Sequence, residues 1–204
     1  MSGYFVTGNG TEVGTTIVSA VLTEALQADY WKPIQVGNLD STDRQLVSRL
    51  ITNTLSELHP ETYSLSEPLS PHAAAALDKV DMSLDTFIIP ATRNVLVVEG
   101  VGGVLVPLNK HQTNADLIKK LGLPVIFASH HYDGSINHTL LSLEALKARN
   151  IAVHGIIFLG DPDQPTESII LQMSGVRMLG RVATDEELTP KAIRMYANIL
   201  KEVL

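Results

Sequence analysis

Short apolar, β-branched runs alternate with segments of helical periodicity along this chain, and that alternation restricts its fold more than any other feature. The runs lie at 3–7, 30–35, 94–98, 124–128, 152–158 and 176–182. Each is nearly continuous in apolar character, as in a strand buried on both faces. Helical patterns occupy about 14–27, 41–52, 114–121, 135–149, 165–173 and 188–203. In the last of these, Leu188, Ala192, Met195, Ile199 and Val203 fall on one stripe, which predicts the face turned to the core. The βαβα order implies a doubly wound α/β fold: a mostly parallel sheet flanked by helices, with right-handed crossovers. Ligands of such folds gather at the carboxyl ends of the strands. Residues 53–90 break the alternation at Pro60, Pro68, Pro71 and Pro90, although Ala73 to Leu77 can form a short helix. They read as an excursion from a single domain spanning 1–204.

Composition removes several function classes. With 15 basic and 22 acidic residues the net charge is −7, and only 18% of residues are charged, which argues against a nucleic-acid surface and against disorder. No cysteine is present, so disulfides, zinc-thiolate sites, iron–sulfur clusters and thiol nucleophiles are excluded. Residues 1–6 lack the basic start and apolar stretch of a signal peptide, and no apolar run reaches the ~18 residues of a membrane span. A cytoplasmic protein without membrane or nucleic-acid partners is expected.

The first strand leads into Gly8-Asn9-Gly10-Thr11-Glu12-Val13-Gly14-Thr15-Thr16, which then opens a helix. That is the place of a phosphate-binding loop. Glycines let consecutive backbone N–H groups turn inward, and the helix start adds the positive end of a dipole. Thr16 stands where the loop hydroxyl would hold Mg²⁺. Thr15 occupies the place of the usual lysine, and Gly8 and Gly14 are six apart instead of five. A glycine-rich turn without a ligand is the plain alternative.

Three other positions offer matching chemistry. Lys32 follows Tyr30-Trp31 and precedes Pro33, Asp43 comes after a loop of small polar residues, and Glu99 ends an apolar run before Gly100, Gly102 and Gly103. One hydroxyl and two carboxylates, with phosphate oxygens and water, would complete an octahedral Mg²⁺ site. Taken singly, each has a bland reading: a solvated lysine, a residue near a helix cap, a surface carboxylate.

Five ordered segments resemble dethiobiotin synthetase: Tyr4-Phe5-Val6-Thr7-Gly8 with Thr11-Glu12-Val13-Gly14; Trp31-Lys32-Pro33; Glu67-Pro68 with Ser70-Pro71-His72; Val98-Glu99-Gly100 with Gly102-Gly103; and Gly134-Ser135-Ile136-Asn137-His138. The resemblance spans the chain. It implies a phosphate-loop NTPase-like fold and an ATP- and Mg²⁺-dependent ligase of biotin synthesis. Such an enzyme carboxylates 7,8-diaminononanoate with CO₂ or bicarbonate, through a carbamate and a carbamic-phosphoric anhydride, and closes the ring of dethiobiotin. By resemblance Lys32 is catalytic, Thr16, Asp43 and Glu99 bind the metal, and Gly8 to Thr16 with Glu99 and Gly102 bind ATP. Thr11, Lys32, Val36, Gly102, Gly103, Gly134, Ser135, Ile136 and Asn137 would bind the substrate, the last four at a helix start that receives its distal carboxylate across a homodimer interface.

The chain departs from the family at Thr15, at Val36 in place of a small hydroxyl residue, at Asp133 in place of an apolar residue, and at Leu159 in place of a base-reading asparagine. These departures leave two further readings open. One is a catalytically silent relative that binds a nucleotide, an anion or a partner. The other is a related phosphate-loop ligase or ATPase acting on another substrate. His130 and His131 are adjacent and read as loop residues instead of zinc ligands. His72 could simply start a helix, Trp31 reads as packing, and no Gly-x-Ser-x-Gly elbow supports a Ser-His-Asp triad.

Overall fold

The computed structural model describes residues 2–183 and 188–204. In chain order the elements are β1 (Gly3–Gly8), α1 (Thr15–Leu26), β2 (Asp29–Trp31), β3 (Ile34–Val36), α2 (Asp43–Leu50), β4 (Leu58–His59), β5 (Tyr63–Leu65), α3 (Pro71–Asp78), a 3₁₀ turn (Leu84–Thr86), β6 (Leu96–Gly103), α4 (Asn114–Leu121), β7 (Val125–His130), α5 (Ser135–Ala148), β8 (Val153–Leu159), α6 (Gln164–Ser174), β9 (Met178–Val182) and α7 (Pro190–Leu200). Seven strands form one sheet in the order β4-β2-β6-β1-β7-β8-β9, and every adjacent pair is parallel. β3 and β5 make a separate parallel pair.

The apolar runs are continuous because the sheet has a core on each face. Phe5, Val98, Phe127 and Phe158 join residues of α3, α4, α5 and α6 on one side. Their chain neighbours Val6, Val97, Ile126 and Ile157 join α1, α2 and α7 on the other. Alternate side chains of a strand point to opposite faces, so both sets must be apolar. α4 begins and ends where the sequence pattern does, since Thr113 and Asp116 form a capping box and Gly122 closes the helix at φ 68°.

Four expectations are corrected. The run 30–35 divides at Lys32-Pro33, placing β2 in the large sheet and β3 in the small one, because Pro33 has no N–H for a ladder. The run 94–98 continues as β6 to Gly103, so Glu99 lies within a strand and not at its end. The excursion 53–90 contains β4, which extends the large sheet, and β5. Finally, α7 buries Ile193, Ala197 and Leu200, whereas Met195 and Ile199 are 45% and 58% exposed. Apolar residues cover two sides of α7, and the side is chosen by its contacts. Leu200 reaches so close to Gly180 that a Cβ there would come within 2.6 Å of it. No helix among the described residues is long and apolar enough to cross a membrane.

Candidate active site

The loop after β1 is shaped by close approaches. A Cβ on Gly8 would come within 2.5 Å of Val13 Cγ2 and 2.7 Å of the Ala128 carbonyl oxygen, so only glycine fits. Asn9 is buried, and its side-chain amide donates to the His130 carbonyl at 2.9 Å and to Thr139 Oγ1 at 3.2 Å. Its backbone N–H donates to Ala128 O at 3.2 Å. Asn9 therefore anchors the loop to β7 and α5, with its donors already used. Among the described residues, the backbone N–H groups from Gly10 to Thr16 find no backbone acceptor. Gly14 caps α1 at φ 87°, and Glu12 adopts φ 58°, a conformation most side chains avoid. Gly102 and Gly103 run alongside: the Thr7 hydroxyl donates to Gly102 O at 3.4 Å, and Gly102 faces the Thr11 hydroxyl.

Beside the loop, the residue after β2, the middle of β6 and the start of α2 converge. Lys32 is buried and its Nζ donates to Glu99 Oε1 at 2.8 Å and to Asp43 Oδ2. Glu99 is fully buried and also accepts from Thr16 Oγ1 at 2.8 Å and Tyr30 OH at 2.7 Å. Asp43 is the first residue of α2, held there by the Thr42–Gln45 capping box, and its N–H donates to Gln35 Oε1 at 3.2 Å. Burial opposes a charge on Lys32, but the Glu99 and Asp43 carboxylates outweigh it and hold its pKa above the ordinary lysine value. Burial and then Glu99 push the Tyr30 phenol well above its usual value, so it stays a donor. One ammonium against two carboxylates leaves one net negative charge in this cluster.

Thr16, Lys32, Asp43 and Glu99 are thus joined by direct contacts; Lys32 and Glu99 are buried and lose their bland readings, whereas Asp43 does lie next to a helix cap, as its bland reading has it. The loop residues Gly10 and Thr11 border Gly102 and Gly103, Val13 is buried as an anchor, and Thr15 is half-buried on the first turn of α1. Val36 ends β3 and packs on the core. Leu159 is fully buried, and a Cβ on Gly14 would lie 2.4 Å from its Cδ2. Tyr30 and Gln35 were not legible as site residues, because each sits inside an apolar strand run.

Gly134, Ser135, Ile136 and Asn137 open α5. Ser135 and Asn137 are the candidate caps by residue type, yet Gly134 caps the helix at φ 90° without a side-chain bond. These residues line a groove of about 790 Å³ with Tyr132, Asp133 and Leu140. Tyr132 joins the groove to the loop, donating to Asn9 O at 3.0 Å. His131 Nε2 lies 2.9 Å from Glu167 Oε1, His72 sits in the first turn of α3, and Trp31 is buried with Nε1 donating to Pro60 O at 3.1 Å.

A sequence model described as an AAA domain matches residues 2–192. The ATP-dependent dethiobiotin synthetase BioD of Christiangramia forsetii is 46% identical over 201 residues, covering 98% of this chain and 97% of the relative. The chain belongs to the dethiobiotin synthetase family. The synthetase of the same name from Cytophaga hutchinsonii is 46% identical over 198 residues, covering 97% of this chain and 96% of the relative. Among solved structures, a ParA family ATPase from Chlorobium tepidum matches with a TM-score of 0.53 at 17% identity, covering 98% of this chain and 91% of that one. That likeness concerns the fold alone, a parallel sheet flanked by helices.

Proposed function

We propose that this member of the dethiobiotin synthetase family carboxylates 7,8-diaminononanoate with CO₂ and closes the dethiobiotin ring using ATP, a step of biotin synthesis. The whole chain acts as one domain in this reading. One amine takes up CO₂ as a carbamate, the γ-phosphoryl passes to a carbamate oxygen with release of ADP, and the neighbouring amine attacks the carbonyl to expel phosphate. The observation that carries the reading is the buried Lys32 ammonium, fixed between Glu99 and Asp43 beside the Gly8–Thr16 loop.

A fixed, preorganised cation is suited to negative charge on the carbamate and the moving phosphoryl group. The free N–H groups of residues 10–16 and the start of α1 would receive the phosphates, with Asn9 shaping the loop. Thr15 adds no charge there, so neutralisation rests more heavily on Lys32 and a metal. The oxygen donors of Thr16, Asp43 and Glu99, with their net negative charge, fit Mg²⁺. When bound, Mg²⁺ would neutralise phosphate charge. Gly102, Gly103, Thr11 and Val36 would border the diamine. The start of α5 would take the distal carboxylate on the N–H groups of Ile136 and Asn137, Ser135 N–H being spent on Tyr132 O, in a homodimer supported by the exposed apolar residues Ile136, Leu141, Ile169 and Met173 on α5 and α6. ATP as co-substrate favours the cytoplasm.

The test supplies purified protein with ATP, Mg²⁺, bicarbonate and 7,8-diaminononanoate and follows ADP and dethiobiotin. Both products are expected together. Tight nucleotide binding without either would overturn the reading in favour of a silent relative, to which Thr15 and the buried Leu159 would then belong.

A further inference from the structure

Between β2 and β4 a second polar cluster is buried: Asp29 opens β2, three residues before Lys32, and His59 closes β4 beside Trp31. Asp29 is 3% exposed and His59 6% exposed. The Asp29 carboxylate is fixed by three donors: the Glu57 N–H at 2.9 Å and the Asn94 amide at 2.8 Å on Oδ1, and the Thr92 hydroxyl on Oδ2. His59 Nε2 lies 3.5 Å from Asp29 Oδ2, yet it is buried and makes no hydrogen bond among the described residues. His59 Nδ1 lies 3.8 Å from Glu57 Oε1, on a side chain that is mostly exposed. One ligand atom from each of Asp29, Glu57 and His59 lies within 4.8 Å of the others.

We propose that Asp29, Glu57 and His59 form a binding site for a four-coordinate divalent transition metal such as Zn²⁺. A hydrogen bond between His59 Nε2 and Asp29 would bring them to about 2.9 Å, whereas two tetrahedral zinc ligands at about 2.0–2.2 Å from the metal stand about 3.4 Å apart. The observed 3.5 Å matches the second spacing. Buried polar atoms are almost always paired, so the orphaned imidazole nitrogen 3.5 Å from a buried carboxylate is explained by an ion between them. The Thr92, Asn94 and Glu57 donors are the supporting shell that orients a ligating carboxylate. Glu57 is free to swing in as third ligand, and water would fill the fourth position. One imidazole and two carboxylates suit zinc, whereas the all-oxygen set of Thr16, Asp43 and Glu99 suits magnesium. The ion would pin residues 57–59 and 92–94 to β2.

The experiment uses the untagged chain stripped by chelator, with Co²⁺ as the spectroscopic probe and Zn²⁺ as competitor. One equivalent of Co²⁺ should give the visible bands of a four-coordinate site, Zn²⁺ should bleach them, and excess Mg²⁺ should not. Zn²⁺ should also raise Tm. His59→Gln should lose both signals, and Glu57→Gln, at an exposed position that leaves the buried pair intact, should weaken Co²⁺ binding by about tenfold or more. Absence of the bands and of the Tm shift in the parent chain overturns the site and leaves an ordinary His59–Asp29 ion pair. Bands that persist unchanged in both variants place the metal elsewhere and overturn it equally.

Discussion

β2 carries a buried charged residue at its amino end, Asp29, and another immediately beyond its carboxyl end, Lys32, and the two are compensated differently. Asp29 is met by neutral donors from residues 57, 92 and 94, with His59 nearby, so its carboxylate holds three chain segments together. Lys32 is met by two carboxylates, so its pairing leaves charge over, next to a loop of unbonded N–H groups. Burial of a charge is tolerated only with compensation. Neutral donors fix the Asp29 carboxylate without cancelling its charge, whereas the two carboxylates around Lys32 more than cancel the ammonium.

The sharpest way to break this contrast is Lys32→Met. Product formation should fall by about 100-fold or more, the scale for removing one preorganised transition-state contact. A far-UV spectrum like the parent's separates lost chemistry from lost folding. A rate within about tenfold of the parent would show that the ammonium is only a structural counter-ion.

Adding charge on the loop side tests the same end from the other direction. Thr15→Lys should raise ATP-dependent product formation by about tenfold, since it restores a cation to the first turn of α1. An unchanged rate would show that Lys32 and the backbone donors already suffice.

The smallest effect belongs to the amino end and appears in stability. Burial pushes the Asp29 carboxyl up, but the Thr92 hydroxyl, the Glu57 N–H, the Asn94 amide and His59 more than offset it, holding the group below the ordinary aspartate value. A depressed folded pKa contributes stability that is present above about pH 4 and is lost as pH falls through the folded value. In metal-free protein, Asp29→Asn should lower stability by about 1 kcal/mol at neutral pH and flatten the Tm–pH profile below about pH 4. An acid limb as steep as the parent's would assign the titration to other carboxylates.

Much of the fold was legible because its strands are buried on both faces and its helices are well punctuated, as α4 is by Thr113, Asp116 and Gly122. β4 and β5 were not, since strands of two and three residues are too short to show a period. The face of α7 was misread because two apolar stripes compete on it and only its contacts with α1 and β9 decide. At the site, Lys32, Asp43, Glu99 and Thr16 stood out as residue types at suggestive places, but their mutual contact depends on strand order, which joins β2 to β6 and β6 to β1. Tyr30 and Gln35 looked like strand residues, and only the fold reveals that their polar tips face the cluster. Leu159 sits where the family resemblance suggests base recognition, yet its side chain is spent on packing.

The surplus negative charge around Lys32 also bears on how a nucleotide gains admission. A bare polyanion approaching the β2–β6 end meets repulsion at short range, and no loop ammonium draws it in. The same molecule carrying its counter-cation arrives with that repulsion cancelled. Saturation of this protein should therefore follow the concentration of metal-complexed triphosphate, with the uncomplexed fraction a bystander.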